Sequence, residues 1–313
     1  MTTQTIRLRG PQHFGRRVPS RAFGRVLNAI PEAVRQSVRM RFEGRSRAKG
    51  PRPPWLTAAA DIRFLGHDGE DDTVLHFESP TLGEAAPRLY AQREIWPTRP
   101  DPADTGFDLL ADVLMDIAVR NADSDLYDRP LLDSVAGFKA VLGDTFGELV
   151  VAVRRHPAES AAVLTPAVAD AARSLHRETP GTRQVRVVGK LDMLRASTRS
   201  FGVILDDGQE VRGVLTEGEI GAISSLMNQR VVVLGRAVFR PSGGLLRVDA
   251  GAVAATEDDG AFFSAIPKPV RMNFSLRDEV RDRQHKFGVA AIIGKWPGDE
   301  SDEQIAEALK ELN

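Results

Sequence analysis

The sequence predicts an α+β chain. An N-terminal α/β domain with a helical middle leads into a five-stranded β-barrel, and an extended segment and helix close the C-terminus. Three observations carry this. Apolar residues recur at helical spacing near residues 20–42 and again near 107–117. From Thr182 the period changes to that of strands, with five candidates in about 72 residues. The last dozen residues carry one narrow apolar stripe on a charged segment. The boundaries that follow are 1–96, 97–181, 182–255 and 256–313.

The elements read in order as follows. TIRLRG alternates apolar and basic residues and is a strand. Residues 20–42 form a helix whose stripe is Phe23, Val26, Leu27, Ile30, Val34 and Val38, and Pro31 inside it is expected to kink or split it. EGRSRAKGPRPPW is a Gly, Pro and Arg-rich loop, and IRFLG, HDGED and TVLHFES make a hairpin. Pro97, Pro100 and Pro102 mark a linker or long loop. A helix with Phe107, Leu110, Val113, Leu114 and Ile117 on one face follows, capped by Asp104 or Thr105. Further helices are expected at 131–142 and 166–177, with the strand GELVVAVRR between them. The middle is thus mainly helical, with the first hairpin as a surface it can pack on.

The barrel strands are VRVVGKLDML, SFGVILDD, EVRGVL, RVVVLGRAVF and LLRVDAGAV. Turns fall at 206–208, 228–229 and 241–244, and TEGEIGAISSLM reads as one helix between strands three and four. Gly189 and Gly235 lie inside strand patterns, where a small barrel needs bends or bulges. Five strands with a helix in that place resemble an OB-fold domain, over roughly a quarter of the chain. A generic small barrel is the alternative.

Composition bounds the function. Hydrophobic residues make up 42% of 313, enough for a buried core. There is no cysteine, which excludes disulfides and thiolate metal sites and fits a reducing cytoplasm. No apolar run is long enough to span a bilayer, and MTTQTIRLRGPQHF lacks the apolar stretch of a signal peptide, so the expected location is cytoplasmic, with no membrane partner. Net charge is −1, but residues 1–52 hold thirteen Lys/Arg against two acids, and residues 296–313 six acids against one lysine. That asymmetry suits an anionic partner at one end and a cationic one at the other, or an encounter of the two ends.

No catalytic constellation stands out. The six histidines (His13, His67, His76, His156, His176 and His285) are scattered, and there is no HExxH or GxSxG. GTRQVRVVGK has the wrong glycine spacing for a phosphate loop, and Leu follows its lysine where a hydroxyl should hold magnesium. Asp123, Asp125 and Asp128 place three carboxylates in six residues, able to meet a divalent cation, but they read better as a solvated loop or helix cap. The expectation is a protein without catalysis, metal or cofactor.

Binding signals are stronger. OB-type barrels offer a strand face and its loops to oligonucleotides. Arg186, Lys190, Arg199, Arg236 and Arg240 decorate this one, with Phe201 and Phe239 as stacking or core aromatics. In the basic N-terminal region Arg35, Arg39, Arg45 and Arg47 are phosphate-contact candidates. DNA or RNA is one expected partner.

The tail gives the other. Ser301 or Asp302 can cap a helix with Ile305, Leu309 and Leu312 on one stripe, and a helix this short is marginal alone. It must lie on its own chain, on a partner, or on a second copy. GVAAIIGKWPGDESDEQIAEAL is similar to the C-terminal segment of VapB-like antitoxins, over about 25 residues. The matching motif is Lys295, Trp296, Gly298 and Asp299, with Ala290, Ile292 and Ile293 in the apolar stretch that would enter the partner. The resemblance implies neutralisation of a PIN-domain ribonuclease toxin, with Ile292, Ile293, Lys295, Trp296, Asp299, Ile305, Leu309 and Leu312 at the contact. Two departures stand out. Nearly 290 residues precede the tail where such antitoxins carry a short DNA-binding head. The basic side chain that often enters the toxin's acidic site has only Lys295, Arg283 or Lys286 as counterparts.

Overall fold

Alternation in β1 (Thr2–Arg9) buries Gln4, Ile6 and Leu8 and turns the arginines outward. This strand is the centre of a five-stranded antiparallel sheet in the computed structural model, which describes residues 1–91, 99–256 and 263–270. β2 (Arg63–Asp68) and β3 (Thr73–Ser79) form the expected hairpin on one side of it. On the other side lie β4 (Glu148–Ala152) and β5 (Ala162–Leu164), giving the order β2-β3-β1-β4-β5. The stretch 97–181 therefore supplies two strands to the sheet that 1–96 begins. The two stretches share one hydrophobic core.

Helix α1 (Ser20–Glu43) covers that core and runs unbroken through Pro31. The proline was expected to kink or split it. An interior proline costs about 3 kcal/mol. Val26, Ile30, Val34 and Val38 are each fully buried, and burial of such a side chain contributes about 1.5–3 kcal/mol. The buried stripe therefore outweighs the lost hydrogen bond, and Gly44, in the left-handed conformation at φ 70°, ends the helix. Three short helices follow: α2 (Pro54–Ala59), α3 (Leu82–Ala85) and α4 (Pro87–Tyr90).

α5 (Gly106–Ala118) starts where the Thr105 N–H and hydroxyl both donate to the Asp108 carboxylate at 2.8 Å. Gly106 is required there, because a Cβ would sit 2.5 Å from Val34 Cγ1 of α1. α6 (Arg129–Leu142) is capped by Asp128, and α7 (Pro166–Glu178) by Thr165, each accepting from the backbone three residues on.

The second core lies in a closed barrel of β6 (Arg183–Arg195), β7 (Ser200–Ile204), β8 (Glu210–Leu215), β9 (Arg230–Phe239) and β10 (Leu245–Ala255). β7 lies between β6 and β8. β9 pairs antiparallel with β6 and β10, and β10 closes the ring in parallel on β8. These five strands are the five read from the sequence, in the order of an OB-type barrel. The helix expected between the third and fourth is a 3-10 helix, Ile220–Leu226. Phe201 lies in the barrel core and Phe239 is also buried, so neither is exposed to stack on a base.

Gly235 lies opposite Ala250, beside the register shift between Ala250 and Ala252. A Cβ there would stand 2.4 Å from the Asp249 carbonyl oxygen. Phe201 lies across Gly213 on the neighbouring strand, filling the space a side chain there would need.

Residues 1–270 form one compact unit; the C-terminal expectations for 271–313 lie outside the described residues. Among the described residues no helix is long and apolar enough to cross a membrane.

Substitution should separate packing from propensity. Gly235→Ala is expected to lose about 1–3 kcal/mol in urea unfolding because backbone must move. Gly137→Ala, on α6 with no heavy atom near the added carbon, should gain about 0.5–1 kcal/mol. The opposite ranking would contradict this reading of the barrel bend.

Candidate functional site

The two loops that an OB-type barrel commonly turns to its ligand are those joining strands one to two and four to five. Here both face the first sheet-and-helix module. In the β9–β10 turn, Ser242 donates its N–H to the Ala122 carbonyl at 3.1 Å. Val238 and Leu246, on either side of that turn, belong to the first module's core rather than the barrel's. The β6–β7 turn, with Ser197 and Thr198, lies beside Arg41, Phe42 and Leu89.

A buried charge pair fixes this docking. Asp128 caps α6, and its carboxylate also accepts from the Ser46 N–H at 3.0 Å and from the Ser46 hydroxyl. Arg247 of β10 reaches across with Nη1 3.3 Å from the same carboxylate and 2.8 Å from the Gly44 carbonyl. Its Nε donates to Asp249 at 2.7 Å. Asp128 is 2% exposed and Arg247 7%. On the rim, Arg240 Nε donates to Asp125 at 3.0 Å, with Arg212 3.8 Å from the same side chain. Two of the three clustered aspartates thus clasp the barrel. The third, Asp123, makes a turn through its N–H to the Asn121 side chain.

The cations proposed for phosphate contact divide by location. Arg39 and Arg45 share Glu43 at 3.0 and 2.9 Å, and Arg39 is buried. Arg35 pairs with Glu32 one turn away, and Arg47 donates to Ser134 at 3.1 Å. Arg240 belongs to the rim clasp, and Arg199 is held at the Gly218 carbonyl at 2.6 Å. These six are structural in whole or in part. Arg186, Lys190 and Arg236 lie on the exposed outer side of the β6–β9 pair. Gln184 stands opposite Arg236, Arg186 opposite Leu234, and the Arg186 guanidinium lies 4.7 Å over Phe263. The structure therefore groups three of the nine on one flank. The tail set from Ile292 to Leu312 lies outside the described residues.

A second charged cluster closes the N-terminal end of α5. Arg154 contacts Asp101 and Asp104, Arg155 contacts Asp104 and Asp112, and His156 Nε2 lies 2.9 Å from Asp112. Asp104 is fully buried, and burial raises its pKa against the lowering pull of Arg154 and Arg155. A raised buried carboxyl is a common mark of an active site. This one is sealed under two guanidiniums, which makes it a clamp between the β4–β5 hairpin and α5. Arg155 Nε stands 3.3 Å from Oδ2, close enough for an ion pair.

The other histidines are dispersed: His67 meets the Arg16 carbonyl at 3.2 Å, His76 meets Asp68 at 3.2 Å, and His176 accepts from Arg129 Nε at 3.3 Å. Among the described residues no three His, Asp or Glu side chains cluster in a way that could hold a metal ion. Compared with known proteins, the chain matches no family model, and no curated protein matches it significantly.

Asp128→Ala should lose about 3–5 kcal/mol in chemical denaturation, since it removes a buried countercharge of Arg247, leaves the buried Ser46 donors without their acceptor and removes a cap. Asp125→Ala on the rim should lose less than about 1 kcal/mol. Equal effects would refute the ranking. A pH effect follows from His176, whose pKa is lowered by burial and then by Arg129. The unfolded chain takes up that proton first as pH falls through about 6.5, so stability is present above that value and lost below it. His176→Gln should shrink the difference in melting temperature between about pH 7.5 and about pH 5.5; a difference as large as wild type would contradict the assignment.

Proposed function

We propose that the protein is a non-catalytic binding protein of the cytoplasm that engages and neutralises a partner toxin, a PIN-type ribonuclease, through its C-terminal segment. The single observation that supports this best is where recognition chemistry is left. In the body, the barrel's β9–β10 loop rests on the first module, and most of the candidate arginines are held by internal carboxylates, hydroxyls or carbonyls. The sequence concentrates apolar and acidic groups in Trp296, Ile305, Leu309, Leu312 and the acids around them. A short amphipathic helix of that kind needs a groove, and a buried tryptophan is the usual anchor of one.

A second reading rests on a different observation. Arg186, Lys190 and Arg236 share the exposed outer flank of β6 and β9, with Arg186 over the Phe263 ring, and three cations on one flank suit a nucleic-acid backbone. On that reading binding weakens steeply with salt.

Co-expression with a PIN-type ribonuclease tests the first reading. The full chain should restore growth and co-purify with the enzyme, and a chain ending at residue 284 should do neither. Trp296→Ala should weaken the complex by about 2 kcal/mol or more in calorimetry. Equal rescue by full and shortened chains would remove the proposal.

A further inference from the structure

Beside the barrel's β6–β7 turn, three arginines from three separate parts of the chain line one small cavity. Arg41 comes from the last turn of α1, Arg99 from the segment before α5, and Arg195 from the end of β6. Ser197 and Thr198 of the turn complete the polar wall, and Phe42 and Leu89 form the apolar part. Thr198 is 5% exposed and its hydroxyl is 2.8 Å from that of Ser200, which orients it. Arg99 and Arg195 have further interactions within the chain, so a ligand would share them with those groups.

We infer that this cavity is a binding site for a phosphate oxyanion, formed jointly by the first module and the β6–β7 turn. Guanidinium groups recognise phosphate by paired, charge-assisted hydrogen bonds, and hydroxyls donate to the remaining oxygens. Size narrows the ligand. The cavity holds about 20 Å³, against the roughly 10–15 Å³ that one water requires, so a phosphate can insert an oxygen but not enter whole, and must sit at the mouth beside the exposed Arg41 and Ser197; a nucleobase is excluded. Docking of the barrel has not masked this turn; it has supplied the two arginines of the opposite wall. The site does not depend on what the C-terminal segment binds.

The shared chemistry is a phosphate group, either free or at the end of a nucleic-acid strand. The test titrates the full chain at constant ionic strength with inorganic phosphate, with a 5′-phosphorylated single-stranded oligonucleotide, and with the same oligonucleotide bearing a 5′-hydroxyl. Saturable binding of inorganic phosphate or of the phosphorylated strand is expected, weakened roughly tenfold or more by Arg41→Gln and by Arg195→Gln. Preference for the phosphorylated strand over both other probes assigns a strand end; comparable binding of inorganic phosphate assigns a small phosphate. Circular dichroism and melting temperature check folding. Arg41 is exposed, so Arg41→Gln, together with Ser197→Ala, decides the matter if Arg195→Gln unfolds. The proposal is overturned if phosphate and the phosphorylated strand both fail to saturate, if Arg41→Gln binds as wild type, or if the two strands bind alike without any response to phosphate.

Discussion

The pair of Asp128 and Arg247 is the constraint on which the architecture of residues 1–270 depends. Two hydrophobic cores, one under a five-stranded sheet and one inside a barrel, would be free to move against each other if only loose contacts joined them. One carboxylate removes that freedom. It caps α6, receives two donors from Ser46 just past the end of α1, and takes the guanidinium of β10. Gly44 closes α1 and offers its carbonyl to the same arginine. Two helix termini and one barrel strand therefore meet at a single buried point. Val238 and Leu246 add apolar area beside it. The apolar contacts supply adhesion, and the charged contact, being directional, sets the angle at which the barrel docks.

The surfaces left for function follow from that docking. Resting the β9–β10 turn on the first module withdraws one loop that a barrel of this type normally offers to ligands. It also brings the β6–β7 turn against α1, where a cavity lined by three arginines appears that neither part makes alone. The flank of β6 and β9 stays outward, and with it Arg186, Lys190 and Arg236. Charge that looks abundant in the sequence is thereby sorted into a buried share, a rim share and an exposed share. Among the described residues, the exposed share and the cavity are the charged surfaces open to partners.

Much of the fold was legible from local signals. The strands of the barrel announced themselves by alternation and by the turns between them, and the helices by stripes such as Val26, Ile30, Val34 and Val38. Thr105 has a side chain whose hydrogen bond is local, so propensity alone locates such a cap. Non-local pairing was less legible. β5 is three residues long, and nothing in AVL says that it completes a sheet started by β1. Pro31 misled because its cost is local and the burial that offsets it is distant. Asp128 reads as one acid among several in NADSDLYD, and nothing in LLRVDAGAV sets Arg247 apart from the other basic residues of the barrel. Their meeting spans 119 residues of sequence, and only the fold brings them together. The same holds for Arg39, whose partner is local but whose burial is not.

The central claim is that the barrel and the first module behave as one body held by the buried pair. Calorimetry combined with native-state hydrogen exchange tests it most directly. The account predicts one transition, with calorimetric and van't Hoff enthalpies that agree and with the slowest amides of β1 and of β9 opening at the same free energy. Two resolved transitions, with the barrel amides exchanging at their own lower energy while the sheet stays closed, would contradict it.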